Sequence, residues 1–195
     1  MKVIGLTGKA CAGKNQVAKA LEEKGFYVID ADLIGHDALE NNKDKIKETF
    51  GDSVISNGKV DRRALGNIVF SSKDKMRLLE NIVHPYVKEF CKKEIEESNK
   101  NVIINAALLQ KGDLVELCEQ VIFVKASVFV RYKRSKKRDK RSLLWFIKRE
   151  ISQKDISVRC LKKEIKNVFI MNNKTSIKEI YRQIDNYCDI FIEGK

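Results

Sequence analysis

The sequence contains one proline, two histidines and no long hydrophobic run. A membrane-spanning helix needs about 20 consecutive apolar residues, so the absence of such a run excludes a helical integral membrane protein. The first residues also lack the basic stretch, long apolar segment and small-residue cleavage site of a secretory signal peptide. We therefore expect a cytoplasmic protein with no membrane partner.

Cysteines are few and scattered. Their number is odd, and no C-x-x-C pair or Cys/His cluster is present, which excludes a disulfide framework and a zinc site. We expect reduced thiols at Cys11, Cys91, Cys118, Cys160 and Cys188. No repeat, low-complexity tract or proline-rich linker divides the 195 residues, a length that suits one domain. The chain is therefore expected to form a single domain over residues 1–195.

Basic residues outnumber acidic ones, with 39 Lys and Arg against 27 Asp and Glu, so the formal net charge is +12. Eight of the eleven residues from 131 to 141 are Lys or Arg. Clustered basic residues indicate a polyanionic partner, and a small phosphorylated substrate accounts for this cluster as well as DNA or RNA does. The remaining excess of basic residues is typical of solvated helix faces, where Lys alternates with Glu.

Short apolar segments alternate with helical patterns along the chain. Strand-sized runs rich in β-branched and aromatic residues occupy residues 2–7, 26–29, 102–104, 121–124 and 168–171. A helical stripe follows Pro85, which the pattern places in the first helical turn, and Ser176 is a plausible N-cap of the last helix. This alternation predicts an α/β fold with a five-stranded parallel sheet flanked by helices.

The segment "GLTGKACAGKNQVAKAL", residues 5–21, follows the first predicted strand. Its Gly8-x4-Gly13-Lys14 spacing is typical of a phosphate-binding loop, in which backbone N–H groups cradle the anion and the lysine supplies a point charge. Asn15 stands where a Ser or Thr ordinarily holds magnesium, and its amide oxygen can accept from water or ligate the metal weakly. A purely structural turn is the alternative.

A second landmark is "YVIDADLIGHDAL", in which Asp30 ends the second predicted strand and Asp32 follows it. Both carboxylates are thereby placed at the carboxyl edge of the sheet, where open α/β folds bind ligands. Capping of the next helix is the alternative role for Asp32.

With these motifs the chain resembles the dephospho-CoA kinase family over nearly its full length. The resemblance rests further on "GFYVIDAD", "FGDSVISNGKVDRRALGNIVF", "LLENIVHPYV" and "RSKKRD", on the pairing of Arg149 with Gln153, and on Asn173 before the last helix. It implies a P-loop kinase fold with a core of residues 1–50, 100–130 and 166–195. An acceptor-binding helical region would occupy about residues 51–99 and a helical lid about residues 131–165.

The resemblance also implies a reaction, in which ATP with Mg²⁺ phosphorylates the ribose 3′-hydroxyl of dephospho-CoA. No tightly bound cofactor and no nucleic-acid partner are expected, and the oligomeric state is left open. The implied catalytic residues are Lys14, Asp32 and Arg138. ATP would be bound by Gly8, Cys11, Ala12, Gly13, Lys14, Asn15, Gln16 and Arg134, with Asn173 near the adenine. The acceptor would meet Asp32, Asp61, Arg62 and His84, the lid would contribute Arg138, Arg149 and Gln153, and Asn15 is the candidate metal ligand.

The chain departs from the family pattern at the third predicted strand, where Asn105-Ala106-Ala107 replaces an acidic residue followed by Pro-Leu-Leu-Phe-Glu. Family loops also carry glycine at the positions of Lys9 and Cys11.

Simpler roles stay open for several of these residues: His84 as an N-cap or core residue, Arg62 in a surface ion pair, Arg149 with Gln153 as a helix contact, and Asn173 as a loop cap. Two other functions stay open as well. One is a nucleoside or nucleotide kinase of the same fold, and the other is a non-catalytic basic protein that binds nucleotides or nucleic acid.

Overall fold

The computed structural model describes residues 1–139, 142–174 and 176–193. Its main sheet has five parallel strands in the order β2-β5-β1-β6-β7, which confirms the predicted architecture. The strands of this sheet are β1 (Val3–Thr7), β2 (Tyr27–Asp30), β5 (Val102–Asn105), β6 (Gln120–Lys125) and β7 (Val168–Asn172), and a separate hairpin is formed by β3 (Ile55–Ser56) and β4 (Lys59–Val60).

Helices cover both faces of the sheet and build two further regions. They are α1 (Lys14–Glu23), α2 (Ala31–Asn41), α3 (Lys43–Phe50), α4 (Arg62–Val69), α5 (Lys73–Glu97), α6 (Val128–Asp139), α7 (Leu143–Ser152), α8 (Val158–Leu161) and α9 (Ile177–Cys188). Helices α4 and α5 lie in the region predicted to bind the acceptor, and most of α6, with α7 and α8, lies in the predicted lid.

The central strands are apolar because both of their faces are buried. Alternate residues point to opposite sides of the sheet, so Ile104 packs into the cluster with α2 and α5, whereas Ile103 packs into the cluster with α1 and α9. All residues of β1 and β5 are buried. This double burial fixes the register of the strands and therefore the positions of the loops at their carboxyl ends.

A third, smaller apolar cluster supports the region around the hairpin. It contains Val54, Val60 and Leu65, with Met76 of α5 packed against it. The hairpin turns at Asn57-Gly58, where both residues have positive φ, as tight two-residue hairpin turns require.

Pro85 corrects one prediction from the sequence pattern. Helix α5 runs from Lys73 to Glu97, so Pro85 lies in its interior and not in its first turn. The helix continues through the proline because residues before and after it, such as Ile82 and Tyr86, pack against apolar clusters, while Pro85 itself is exposed. His84 consequently lies in mid-helix, and the alternative that it is an N-cap is wrong.

Candidate active site

The phosphate-binding loop connects β1 to α1 at the centre of the sheet. Gly8 lies so close to β6 that a Cβ atom there would be 2.4 Å from the Val124 carbonyl oxygen. Gly13 has a φ of 99° and precedes α1 as its N-cap, without a side-chain cap. No side chain therefore caps the first N–H groups of α1, which leaves this helix N-terminus available to an anion.

Arg134 and Asn173 hold the loop through its carbonyl groups. Arg134 Nη1 donates to the Ala12 carbonyl at 3.1 Å, and its Nη2 donates to Asn173 Oδ1 at 2.9 Å. The buried Asn173 amide donates in turn to the Ala12 carbonyl at 2.9 Å and to Gln16 Oε1 at 3.3 Å. Because these bonds engage loop carbonyls, they leave the loop N–H groups for an anion. The place of Asn173 beside the adenine stays a prediction.

In front of the loop is a cavity of about 540 Å³. Three cationic side chains of α6 line it together with the loop, namely Arg134, Lys137 and Arg138. Arg138 Nη2 lies 3.8 Å from Cys11 Sγ, so the guanidinium reaches across the cavity mouth. A cavity with backbone donors on one wall and cations on the other is suited to a polyphosphate.

Lys14 and Asp32 face each other where the loop meets α2. Lys14 Nζ lies 4.0 Å from Asp32 Oδ2, and the lysine side chain is only 12% exposed. Burial lowers the pKa of Lys14, and the carboxylates of Asp32 and Asp30 oppose this shift. The lysine thus carries its charge in a partly dry site, where its interaction with an anion is stronger than in water.

Asp32 is oriented by the backbone beyond β5. Its Oδ1 accepts a hydrogen bond from Ala107 N at 3.2 Å. The capping role belongs to Asp30, whose side chain accepts from the N–H groups of Asp32 and Leu33. The alternative that Asp32 caps α2 is therefore wrong, and its other oxygen, Oδ2, is the atom that approaches Lys14.

A second cavity, of about 590 Å³, opens on the other side of Asp32. The polar side chains that line it are Asp32, His36, Glu80, His84, Arg149, Ser152 and Gln153, and the apolar ones include Phe70, Met76, Val83, Val87, Leu108 and Leu114. Both histidines of the chain are thus brought to one cavity. The sequence patterns did not indicate His36 as a site residue. Its position four residues after Asp32 on α2, on the same helix face, was the signal that could have done so.

Asp61 and Arg62 are not among the residues that line either cavity. The Asp61 carboxylate caps α4 by accepting from Arg63 N at 2.9 Å and Ala64 N at 3.0 Å, while Arg62 is exposed. A role for these two residues toward the acceptor stays a prediction.

The predicted lid contacts the loop directly at the C-terminal end of α7. Gln153 is buried, and its Oε1 accepts from Ala10 N at 2.8 Å. Glu150 pairs with the buried Arg131 and lies 3.5 Å from Lys9 Nζ. Hydrogen bonding to Arg131 is the main reason that the pKa of Glu150 is lowered. No pattern in the sequence indicated this pairing of the lid with the loop.

Two asparagines lie at the expected magnesium position. Asn105 Nδ2 donates to Asn15 Oδ1 at 3.5 Å, a long contact, and the buried Asn105 Oδ1 has no hydrogen-bond partner. Buried acceptors are normally satisfied, and amide oxygens are acceptable neighbours for Mg²⁺ or its bound water. The residues therefore fit a hydrated magnesium ion held mainly by its substrate. Among the described residues no group of three His, Cys, Asp or Glu could form a protein-only metal site.

Comparison with known proteins decides the family, because the model of the dephospho-CoA kinase family matches residues 2–179. The chain belongs to this family. A dephospho-CoA kinase from Fusobacterium nucleatum is 34% identical over 193 residues, covering 96% of this chain and 97% of the relative.

Two solved structures agree. TT1252 from Thermus thermophilus has a TM-score of 0.82 at 26% identity, with 97% of each chain covered. The dephospho-CoA kinase from Campylobacter jejuni has a TM-score of 0.70 at 26% identity, with 98% of each chain covered.

These similarities confirm the predicted P-loop kinase fold and an ATP-dependent kinase activity. They do not favour the alternatives of another nucleoside or nucleotide kinase or a non-catalytic basic protein. In the part of the chain that the structure describes, we find no helix with the length and apolarity to cross a bilayer.

Proposed function

We propose that the protein transfers the γ-phosphoryl group of ATP to the ribose 3′-hydroxyl of dephospho-CoA, giving coenzyme A and ADP. The observation that carries this proposal is the place of Asp32. Its carboxylate lines the 590 Å³ cavity and lies 4.0 Å from Lys14 of the phosphate-binding loop. A hydroxyl bound beside Asp32 would therefore face the end of a triphosphate bound in the loop.

Asp32 would act as the general base. Its Oδ1 is held by the Ala107 N–H, which leaves Oδ2 to accept the proton of the attacking hydroxyl. The neighbouring Lys14 would bind the β- and γ-phosphates and orient them for in-line attack. Asp32 would thus act on the acceptor hydroxyl, and Lys14 would act on the phosphoryl donor.

Arg138 would stabilise the phosphoryl group during transfer. It lies on α6 at the mouth of the ATP cavity, within 3.8 Å of Cys11. Charge that spreads over the equatorial oxygens of the transferred group is stabilised by a fixed cation in a dry site. Arg134 would act differently, because its hydrogen bonds to the loop and to Asn173 make it a support for the ATP cradle.

The acceptor would occupy the second cavity. The cationic Arg149 and the half-buried His84, which both line this cavity, would meet its phosphates and ribose, and the apolar wall would accommodate the thiol-bearing arm. Gln153 and α7 would close over both substrates and exclude water, which would otherwise compete with the hydroxyl for the phosphoryl group.

Magnesium bound with ATP would neutralise phosphate charge and polarise the transferred group. Asn15 and Asn105 are the residues that would hold its coordinated water, through the amide oxygens at the base of the loop. Because neither is an anion, we expect a weaker hold on the metal than a protein carboxylate provides.

The test is an assay with ATP, dephospho-CoA and a magnesium titration, in which ADP release is followed and coenzyme A is identified by mass spectrometry. Parallel reactions replace dephospho-CoA with adenosine or AMP. Product coenzyme A that requires both substrates supports the proposal. Phosphorylation of adenosine or AMP without phosphorylation of dephospho-CoA would overturn the assignment of the acceptor.

A further inference from the structure

The predicted lid carries an exposed apolar face that the kinase reaction does not use. Helices α6 and α7 pack together through Tyr132 and Phe146, whose ring centroids are 5.5 Å apart. Beside this contact lies an apolar groove of about 450 Å³ between the two helices. On its rim Phe129 and Ile151 are each 65% exposed. We call this surface the lid face.

The lid face extends along α7 with helical periodicity. Leu144, Ile147 and Ile151 recur at spacings of three and four residues and are all exposed, whereas Phe146, which lines the groove together with Ile147 and Ile151, is buried. No described part of the chain covers these side chains. Large contiguous apolar surfaces are uncommon on proteins without a partner, so such a surface marks an interaction site.

The segment that carries the lid face is strongly basic. Residues 128–151 contain ten Lys or Arg and only two Asp or Glu, a net charge of +8 against +12 for the whole chain. Lys133 Nζ lies 4.5 Å from the ring centroid of Phe129, and the exposed Lys148 belongs to α7 itself. Of the two acidic residues, Glu150 is already paired with Arg131. The matching partner therefore offers negative charge and an apolar interior together.

We propose that the lid face docks reversibly on an anionic lipid surface. The aliphatic side chains would enter the boundary between headgroups and acyl chains, and the surrounding lysines would pair with lipid phosphates. A second copy of the chain is a poorer match, because its own lid face carries the same positive charge. Nucleic acid is a poorer match as well, because most exposed side chains of the face are aliphatic, and Lys133 already lies over the exposed ring of Phe129, on which a base could otherwise stack.

Docking on this side leaves the catalytic cavities accessible. Arg134, Lys137 and Arg138 line the ATP cavity, while the groove is lined by other residues of α6 and α7, and the two cavities share none. The contact is peripheral, since no described helix could cross a bilayer. The docked protein is therefore expected to retain the family's kinase activity.

The test is flotation of the full chain with vesicles of phosphatidylcholine alone or with about 30% phosphatidylglycerol. We expect co-flotation only with the anionic vesicles, and its loss when salt rises from about 0.05 M to about 0.5 M. Leu144→Glu should weaken vesicle binding about tenfold, because it removes an exposed leucine side chain that the lipid would bury. The matched control is Ile177→Glu on α9, which makes the same charge change at another exposed aliphatic residue. Ile177 is 51% exposed, and Leu144 is 73% exposed.

Equal weakening by the two variants would overturn the proposal, because it would mean that net charge alone drives the binding. Absence of binding to anionic vesicles would overturn it too. A concentration-dependent dimer that Leu144→Glu abolishes without vesicles would assign the lid face to a second copy, and RNA binding lost in the same variant would assign it to nucleic acid. An unchanged melting temperature of Leu144→Glu confirms that the variant is folded, and this control does not depend on which acceptor is phosphorylated.

Discussion

Lys14 Nζ lies 4.0 Å from Asp32 Oδ2, and this pair joins the two cavities of the site. The lysine begins α1 and the aspartate lies in the first turn of α2, so the pair spans two helix N-termini at one edge of the sheet. A helix N-terminus stabilises negative charge nearby. The N-terminus of α1 would therefore stabilise a bound triphosphate, and that of α2 stabilises the Asp32 carboxylate.

Asp32→Asn is expected to lower kcat by about 10²- to 10⁴-fold, because the amide cannot accept the hydroxyl proton. ATP binding, measured with a fluorescent analogue, should be retained. The matched control is Asp37→Asn, an exposed carboxylate on the same helix, which should leave kcat within about twofold. Undiminished turnover of Asp32→Asn would contradict the role of Asp32 as base.

Lys14→Met is expected to abolish ATP turnover and yet to raise the melting temperature near neutral pH. Burial is the largest influence on the pKa of Lys14 and lowers it from 10.5, so the charged form is disfavoured in the folded state. The unfolded chain keeps this proton up to a higher pH than the folded chain does. The destabilising effect of Lys14 is therefore full below the lowered pKa and fades as pH rises from there toward 10.5.

Thermal melts of the two proteins across this pH range check the effect of Lys14. The stability gain of Lys14→Met should shrink as the pH increases. A variant less stable than the parent at neutral pH would show instead that the ion pair with Asp32 outweighs the cost of burial.

Asn15→Ser is expected to lower the magnesium concentration needed for half-maximal activity. A hydroxyl at this position would approach the metal more closely than the amide of Asn15, which lies against Asn105. The check is a magnesium titration at saturating ATP, with Lys19→Ala, exposed on the same helix, as the control. If the magnesium requirement of Asn15→Ser is the same as that of the parent, then residue 15 does not contact the metal or its water.

Arg138→Ala is expected to reduce kcat by about 10²- to 10³-fold with a small change in the KM for ATP, because its charge would matter most in the transition state. Arg138→Lys should restore little of this loss, since a lysine cannot reproduce the planar guanidinium. Lys136→Ala, exposed on the same helix, is the control and should leave both constants near their parent values. A large rise in KM at constant kcat would assign Arg138 to ATP binding instead.

Sequence patterns alone predicted the five strands and the place of the phosphate-binding loop. Each of these features depends on residues that are neighbours in the chain, such as the apolar run of β1 followed by Gly8, Gly13 and Lys14. The N-cap of the last helix was predicted correctly for the same reason, since the Ser176 side chain accepts from Glu179 N. Local propensity and periodicity are sufficient where the partners of a residue lie within a few positions.

Tertiary packing decided the contacts that join distant segments. Asn105 meets Asn15 across 90 residues, and Gln153 meets Ala10 across 143. Pro85 shows the same limit within one helix, because packing on both sides of it carries α5 through a residue that local preference would place in a first turn. Contacts of this kind depend on which surfaces the sheet order brings together, and burial energy summed over many residues sets that order.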